Sequence, residues 1–394
     1  MRISLSLFRR FFQSGAIGGV ILIFCVVVSL ILANSAAGEW FRSLLEYELG
    51  NADLGLRYSV LAWVNDGLMA IFFLLIGLEI KREVVEGELS SIKKASLPVI
   101  AACGGAVLPA IIYAFFNANT PAASGWGIPM ATDIAFALGI LALIGKKVPA
   151  SLKVFLAALA IADDLIAIIV IAVFYSEEIH LTNFLFAGGI FLLLLVFNRL
   201  NLKNVFFYLI PGMFIWYFIH HSGIHATIAG VLTALTLPTT PGRETSPLEK
   251  LEHAIAPPVN FLIMPIFALV NTGIRFGDVS AEMLTGDLSL GIIAGLVLGK
   301  PLGITLSSWI SVRAGISSLP SRASWKHIMG LGMLGGIGFT MSIFIALLSF
   351  RDAQHHDIAK ISILIASTIS AIAGLLFLLT VSNKKAKAAR KVSG

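Results

Sequence analysis

Five ionisable side chains sit inside long apolar runs of this chain: Asp66, Asp133, the adjacent pair Asp163 and Asp164, and Lys300. A charge at the centre of a membrane helix costs roughly 2.5–3.5 kcal/mol on insertion scales, so an intramembrane carboxylate reads first as part of an ion or proton pathway. Left unpaired, the five together would cost on the order of 10 kcal/mol or more. Consecutive helix residues do not face one another. Asp163 and Asp164 therefore meet different surroundings, which set their protonation separately. Lys300, the one basic residue deep in a run, is the natural partner for one of them. The chemistry open to such a set is reversible protonation and the binding of a hard cation through oxygen.

Asp133 stands beside a second kind of signal. Gly125-Trp126-Gly127-Ile128-Pro129 precedes Ala131-Thr132-Asp133 in one apolar run, and Gly332 precedes Gly335-Gly336-Ile337-Gly338-Phe339-Thr340 in another. Proline removes a backbone donor and each glycine costs a helix about 1 kcal/mol, so both runs are expected to break in mid-membrane. Glycines in membrane helices also serve plain close packing. The carboxylate beside the first cluster favours the break. Where half-helices meet, N-terminal ends carry partial positive and C-terminal ends partial negative charge. Asp133 and Lys300 would offset those charges, a role favoured for Asp133 over direct ion ligation. Thr132 adds a hydroxyl oxygen next to carbonyls freed by a break, although a membrane threonine often bonds only to its own helix. Carboxylate, hydroxyl and carbonyl oxygens suit Na+ or Li+, and no thiolate or imidazole set favours a softer metal. His225 and His253 either titrate near neutrality or simply mark span ends. Cys25 and Cys103 fall within spans with no metal spacing, so they read as packing residues. No cofactor is implied.

These residues need a membrane scaffold. The composition is 57% hydrophobic and 13% charged, with a mean hydropathy of +0.92, outside the range of soluble globular proteins. The fold class expected is an all-α polytopic membrane protein of twelve transmembrane helices. The spans run from Gly15 to Asn34, Ser59 to Ile80, Ser96 to Phe116, Ala123 to Ile144, Ser151 to Tyr175, Asn183 to Phe197, Val205 to His220, Gly223 to Leu237, Ala254 to Gly273, Leu288 to Val312, His327 to Phe350 and Ile358 to Val381. This alternation puts 22 of the 28 Lys and Arg residues on one face. Arg42, Arg57, Arg275, Arg351 and Lys360 fall on the other, and Lys300 on neither. The basic face is therefore read as cytoplasmic, with both termini there. Basic residues flanking apolar spans do not describe a nucleic-acid surface. The tail Lys384, Lys385, Lys387, Arg390 and Lys391 suits anionic lipid. The first span is too long for the apolar core of a cleavable signal peptide.

The chain thus reads as one transporter domain, 1–394. Spans 3 to 5 (96–175) and 10 to 12 (288–381) each contain one interrupted helix and begin on opposite faces, the pattern of an inverted repeat around a transport site. Segments 15–80 and 223–273 are left as scaffold or interface helices. Residues 37–58 form a polar hairpin or loop outside, either solvated or an oligomer contact. Two other classes remain open. A membrane enzyme using aspartates would want carboxylates three or four residues apart on one helix face, or a Gly-x-Gly-Asp motif, and neither is present. A cation channel would want repeated pore-lining charges.

The run Trp126 to Pro129, Ala131 to Gly139, Ala162-Asp163-Asp164-Leu165, Gly299-Lys300-Pro301-Leu302-Gly303 and Gly336 to Ser342 closely resembles the NhaA-type sodium/proton antiporters of bacterial inner membranes. The likeness extends through Gly77 to Glu83 and Leu251-Glu252-His253. It implies electrogenic exchange of Na+ or Li+ for protons by alternating access, active at alkaline pH. Asp163 and Asp164, with Thr132, would bind Na+ and protons, and Asp163 would pair with Lys300. Thr132 and Asp133 would lie where two unwound helices cross. Asp66 would lie near the cytoplasmic funnel, with Glu79, Glu83, Glu252 and His253 sensing pH at its mouth and His225 contributing. The resemblance also implies a homodimer through residues 40–58. Glu249 stands where a base is expected.

Overall fold

The computed structural model describes residues 4–145, 148–176, 179–239, 246–278 and 280–392. It is almost wholly helical, with one two-stranded hairpin among the described residues. Among the described residues eight helices are long and apolar enough to cross a membrane, and ten segments qualify if each bent pair counts once. Two expected spans form shorter helices. Phe206–His220 has 15 residues and Ile228–Thr236 has nine. At 1.5 Å per residue the latter covers only about 14 Å. The side chains of the basic tail, Lys384 to Lys391, lie outside the described residues.

The chain divides into two compact units. The first comprises residues 1–21, 91–167 and 276–394. Its centre is the pair Ile92–Asn117 and Asp287–Arg313, packed along their lengths. Gly295, Gly299 and Gly303 fall every fourth residue, so they share one face of the second helix. On that face Gly303 meets Gly104 O, and Gly299 meets Pro109; a Cβ at either position would collide. Small residues at this spacing let membrane helices approach at backbone distance. Around the pair stand the interrupted segments 123–144 and 325–349 and the last helix, Ala353–Val392. Residues outside the packing are apolar and exposed, for example Val107, Ile111 and Phe115. That is the surface a lipid-facing helix presents.

The second unit comprises residues 22–90 and 168–275. Here Val60–Val85 packs on Ile228–Thr236, and Leu181–Arg199 on Phe206–His220, around a core of Leu78, Leu194, Tyr208, Ile215 and Leu248. Glu48–Leu49 pairs antiparallel with Tyr58–Ser59. The hairpin is held by Trp63 Nε1 donating to Leu49 O at 3.0 Å and by an Arg57–Glu48 ion pair at 2.8 Å.

Among the described residues three helices widen locally to π turns, at Trp63–Leu68, Val259–Ile263 and Gly295–Gly299. Two of these end two residues before a proline. Lys300 N–H reaches back five residues to Gly295 O, and Met264 N–H to Val259 O, ahead of Pro301 and Pro265. A proline ring crowds the carbonyl four residues earlier, and a wider turn moves that carbonyl away.

The ninth expected span starts earlier than its hydropathy suggests. Ser246 and Glu249 form a reciprocal capping box with Pro247 in the first turn, so Glu252 and His253 belong to the helix and not to the preceding connection. Glu249, unexpected as an acid, is thereby employed locally: its Oε2 accepts from Ser246 N at 3.3 Å.

Gly303→Val should force apart the central pair of the first unit at a cost of about 1–3 kcal/mol. Thermal unfolding in detergent should show a lower midpoint than for the Leu302→Val control, which lies beside it on a more exposed face. Equal midpoints would show that this close approach is not a packing constraint.

Candidate functional site

Each interrupted segment leaves backbone groups that a helix would have satisfied. After a 3₁₀ stretch Ala123–Met130 the chain is extended through Ala131, Thr132 and Asp133, and the helix Ile134–Ile144 follows. The second segment runs as Trp325–Gly335, opens at Gly336 to Gly338, and resumes as Phe339–Ser349 after a bend of 49°. The two openings satisfy one another. Asp133 N donates to Ile337 O at 2.7 Å, Thr132 Oγ1 donates to Gly335 O at 2.8 Å, and Ser342 Oγ donates to Ile128 O at 2.7 Å.

Asp133 serves both resumed helices. Its Oδ1 accepts from Phe136 N at 3.0 Å, capping Ile134–Ile144. Its Oδ2 accepts from Thr340 N at 3.3 Å and from Thr340 Oγ1 at 2.5 Å, in the first turn of Phe339–Ser349. One buried carboxylate thus lies at two positive helix ends, where its charge is favoured. Ser367 Oγ accepts the remaining Phe339 N–H at 3.1 Å.

Lys300 and Asp163 form an ion pair, Nζ to Oδ2 at 2.6 Å, with side-chain exposures of 0% and 1%. Asp163 Oδ1 has no hydrogen-bond partner among the described residues. Asp164 is equally buried. Removing one member of a buried pair costs about 3–5 kcal/mol, whereas the intact pair is nearly balanced between attraction and lost solvation. This favours exchange of partners over loss of one. Thr132, also fully buried, keeps acceptor capacity on a hydroxyl that already donates. Asp163, Asp164 and Thr132 thus offer oxygen atoms, the ligand type a hard cation takes. No group of three or more His, Cys, Asp or Glu suited to a bound metal occurs among the described residues.

The remaining expected residues lie in the second unit, in two places. Arg82 Nη1 reaches Glu252 Oε1 and Arg82 Nη2 reaches Glu83 Oε1, both at 3.4 Å. Glu79 lies one turn before them on the same face, and His253 follows Glu252 as an exposed residue. Asp66 does not join them. It occupies the widened turn Trp63–Leu68, about 20 Å along the helix from Glu79, at the hairpin end, where its carbonyl accepts from Trp216 Nε1 at 3.4 Å. His225 Nε2 bonds Tyr175 O at 2.6 Å and lies within electrostatic range of Asp66.

Thr340 and Ser367 were not singled out for a role. Thr340 carried a legible signal, a hydroxyl in the first turn after a glycine break. Ser367 carried none, because its role depends on which helix packs against the opening.

Asp133→Ala would strip the acceptor from three buried donors. At roughly 1 kcal/mol or more for each cap or donor left unmade, the unfolding midpoint should fall clearly, and Asp133→Asn, which keeps one good cap acceptor, should lie between. A midpoint unchanged in Asp133→Ala would sink the double-cap account.

Residues 9–378 match the family described as Na+/H+ antiporter 1. The chain is 62% identical over 386 residues to the Na(+)/H(+) antiporter NhaA 2 of Flavobacterium johnsoniae, covering 97% of this chain and 95% of that one. It is 50% identical over 374 residues to NhaA 1 of Clostridium beijerinckii, covering 93% of each. With NhaA of Caulobacter vibrioides the identity is 47% over 380 residues, covering 95% of this chain and 91% of the other. A helical membrane chain whose buried aspartates and paired helix openings fall within so extensive a match is a member of the Na+/H+ antiporter 1 family.

Proposed function

We propose that this protein exchanges cytoplasmic Na+ or Li+ for external protons across a bacterial inner membrane. The observation that carries the reading is the buried Asp163–Lys300 pair with Asp164 beside it. Protons and Na+ compete for the same carboxylates, and only an occupied site crosses. Na+ binding displaces Lys300 from Asp163, and Asp164 supplies the second negative charge. Two carboxylates and one ammonium let more protons enter than Na+ leaves, so exchange is electrogenic and drawn by the membrane potential. The antiporter names of the relatives fit a transporter and not an enzyme.

The finer architecture belongs to the same proposal. Twelve crossings keep both termini cytoplasmic, with 96–175 and 288–381 as inverted repeats whose interrupted helices cross at Thr132 and Gly335. Segments 15–80 and 223–273 act as scaffold, and two copies join through the hairpin at 40–58. Glu79, Glu83, Glu252 and His253, gathered around Arg82, set the pH response. The sign follows from competition. Na+ needs deprotonated carboxylates, so lowering cytoplasmic pH suppresses exchange and raising it activates.

In everted vesicles, Na+ or Li+ added at alkaline pH should collapse a preformed pH gradient with the wild-type protein. Asp163→Asn and Asp164→Asn should not support this, and acidifying the medium should silence the wild type. Full exchange by both variants would show that the site lies elsewhere.

A further inference from the structure

Gly336, in the opening of the second broken helix, lies where three elements of the first unit meet. A Cβ on it would collide with Leu296 O from the Lys300 helix and with Ser370 Oγ from the last helix. The glycine therefore opens a notch that admits both polar atoms. Each is poorly served. Leu296 O would ordinarily accept from the residue four ahead, but that residue is Lys300, whose N–H goes to Gly295 O. The next donor along a widened turn would be residue 301, a proline without an N–H. Ser370 is 2% exposed, and its hydroxyl has no hydrogen-bond partner among the described residues.

A buried hydroxyl left unmade is costly, and a site that keeps one calls for a reason. Three residues earlier on the same face of the last helix, Ser367 already accepts from Phe339 N across the opening. The face bearing Ser367 and Ser370 thus borders both the resumed helix and the turn before Lys300.

We propose that Ser370 is a positioning residue for ion exchange. Its hydroxyl is the reserve donor for a carbonyl at the Gly336 opening, Leu296 O being the one that shares the notch with it, and makes that bond when Lys300 leaves Asp163 and the opening shifts. The unmade bond raises the energy of the paired, ion-free arrangement, and its formation stabilises the ion-loaded one. Ser370 thereby lowers the Na+ concentration needed to displace Lys300 without touching the ion. The inference rests on the exchange reading above.

The test is Na+-dependent proton flux in proteoliposomes of purified wild type, Ser370→Ala and Ser370→Thr, with unfolding midpoints measured in Na+-free detergent. Alanine removes the cost in one arrangement and the bond in the other. Its apparent KM for Na+ should rise about fivefold, equivalent to roughly 1 kcal/mol. Its pH activation should move to the alkaline side, while its midpoint stays level or rises. Threonine, which keeps the hydroxyl, should restore the wild-type KM; if its methyl prevents folding, Ser370→Cys should give an intermediate value. An unchanged KM and pH profile in Ser370→Ala would overturn the proposal, as would a midpoint that falls in step with the flux, the mark of a purely structural role. Absence of exchange in the wild type would instead overturn the functional reading.

Discussion

Asp133 holds together an arrangement that hydrocarbon would otherwise forbid. Inside a bilayer no water takes up free amide and carbonyl groups, so a helix can be interrupted only where protein groups replace the lost bonds. Here each opening supplies what the other lacks: Ile337 O takes Asp133 N, Gly335 O takes the Thr132 hydroxyl, and the Asp133 carboxylate takes donors from both resumed helices. Apart from the local cap on Phe136 N, none of these bonds exists without the other segment. The two interruptions are therefore one polar structure, and a carboxylate that is costly alone is stabilised by two helix ends at once.

That structure already commits both Asp133 oxygens as acceptors. In the proposed exchange the ion chemistry falls to Asp163 and Asp164, next to the buried ammonium of Lys300. Its position follows from packing: Gly299 and Gly303 bring its helix against Ile92–Asn117 at backbone distance, and the widened turn before Pro301 rotates Lys300 by the extra residue it accommodates. The proline, the glycine face and the buried ammonium serve one placement.

Much of this was legible in the sequence because the governing rules are local or absolute. A charge in an apolar run must be paired, and glycine with proline must weaken a helix; these rules pointed to Asp133, Asp163, Asp164 and Lys300 and to both openings. Other features depend on neighbours distant in the chain. The π turns follow from where a proline falls against a packed partner, and Ser367 caps a helix 28 residues away. Span hydropathy hid the start of the helix at Pro247, although Ser246 and Glu249 spelled out its capping box. Asp66 shares one continuous helix with Glu79, but its contact with Trp216 depends on a helix distant in the chain.

The energetics of the central pair suit a site that must release what it binds. A deeply stabilising Lys300–Asp163 bond would exclude a cation, and an absent one would leave two buried carboxylates in hydrocarbon. A buried pair sits between these limits, since attraction and desolvation nearly cancel while loss of either member is severe. Any entering cation or proton that replaces the ammonium at Asp163 therefore meets a small net difference, and the outcome is set by secondary contacts. Those contacts are hydroxyls and carbonyls at the helix openings, each worth only about 0.5–1.5 kcal/mol. In the proposed exchange, groups of that size would tune the change of occupant without locking it, so the polar content of the openings would count beside the ion pair.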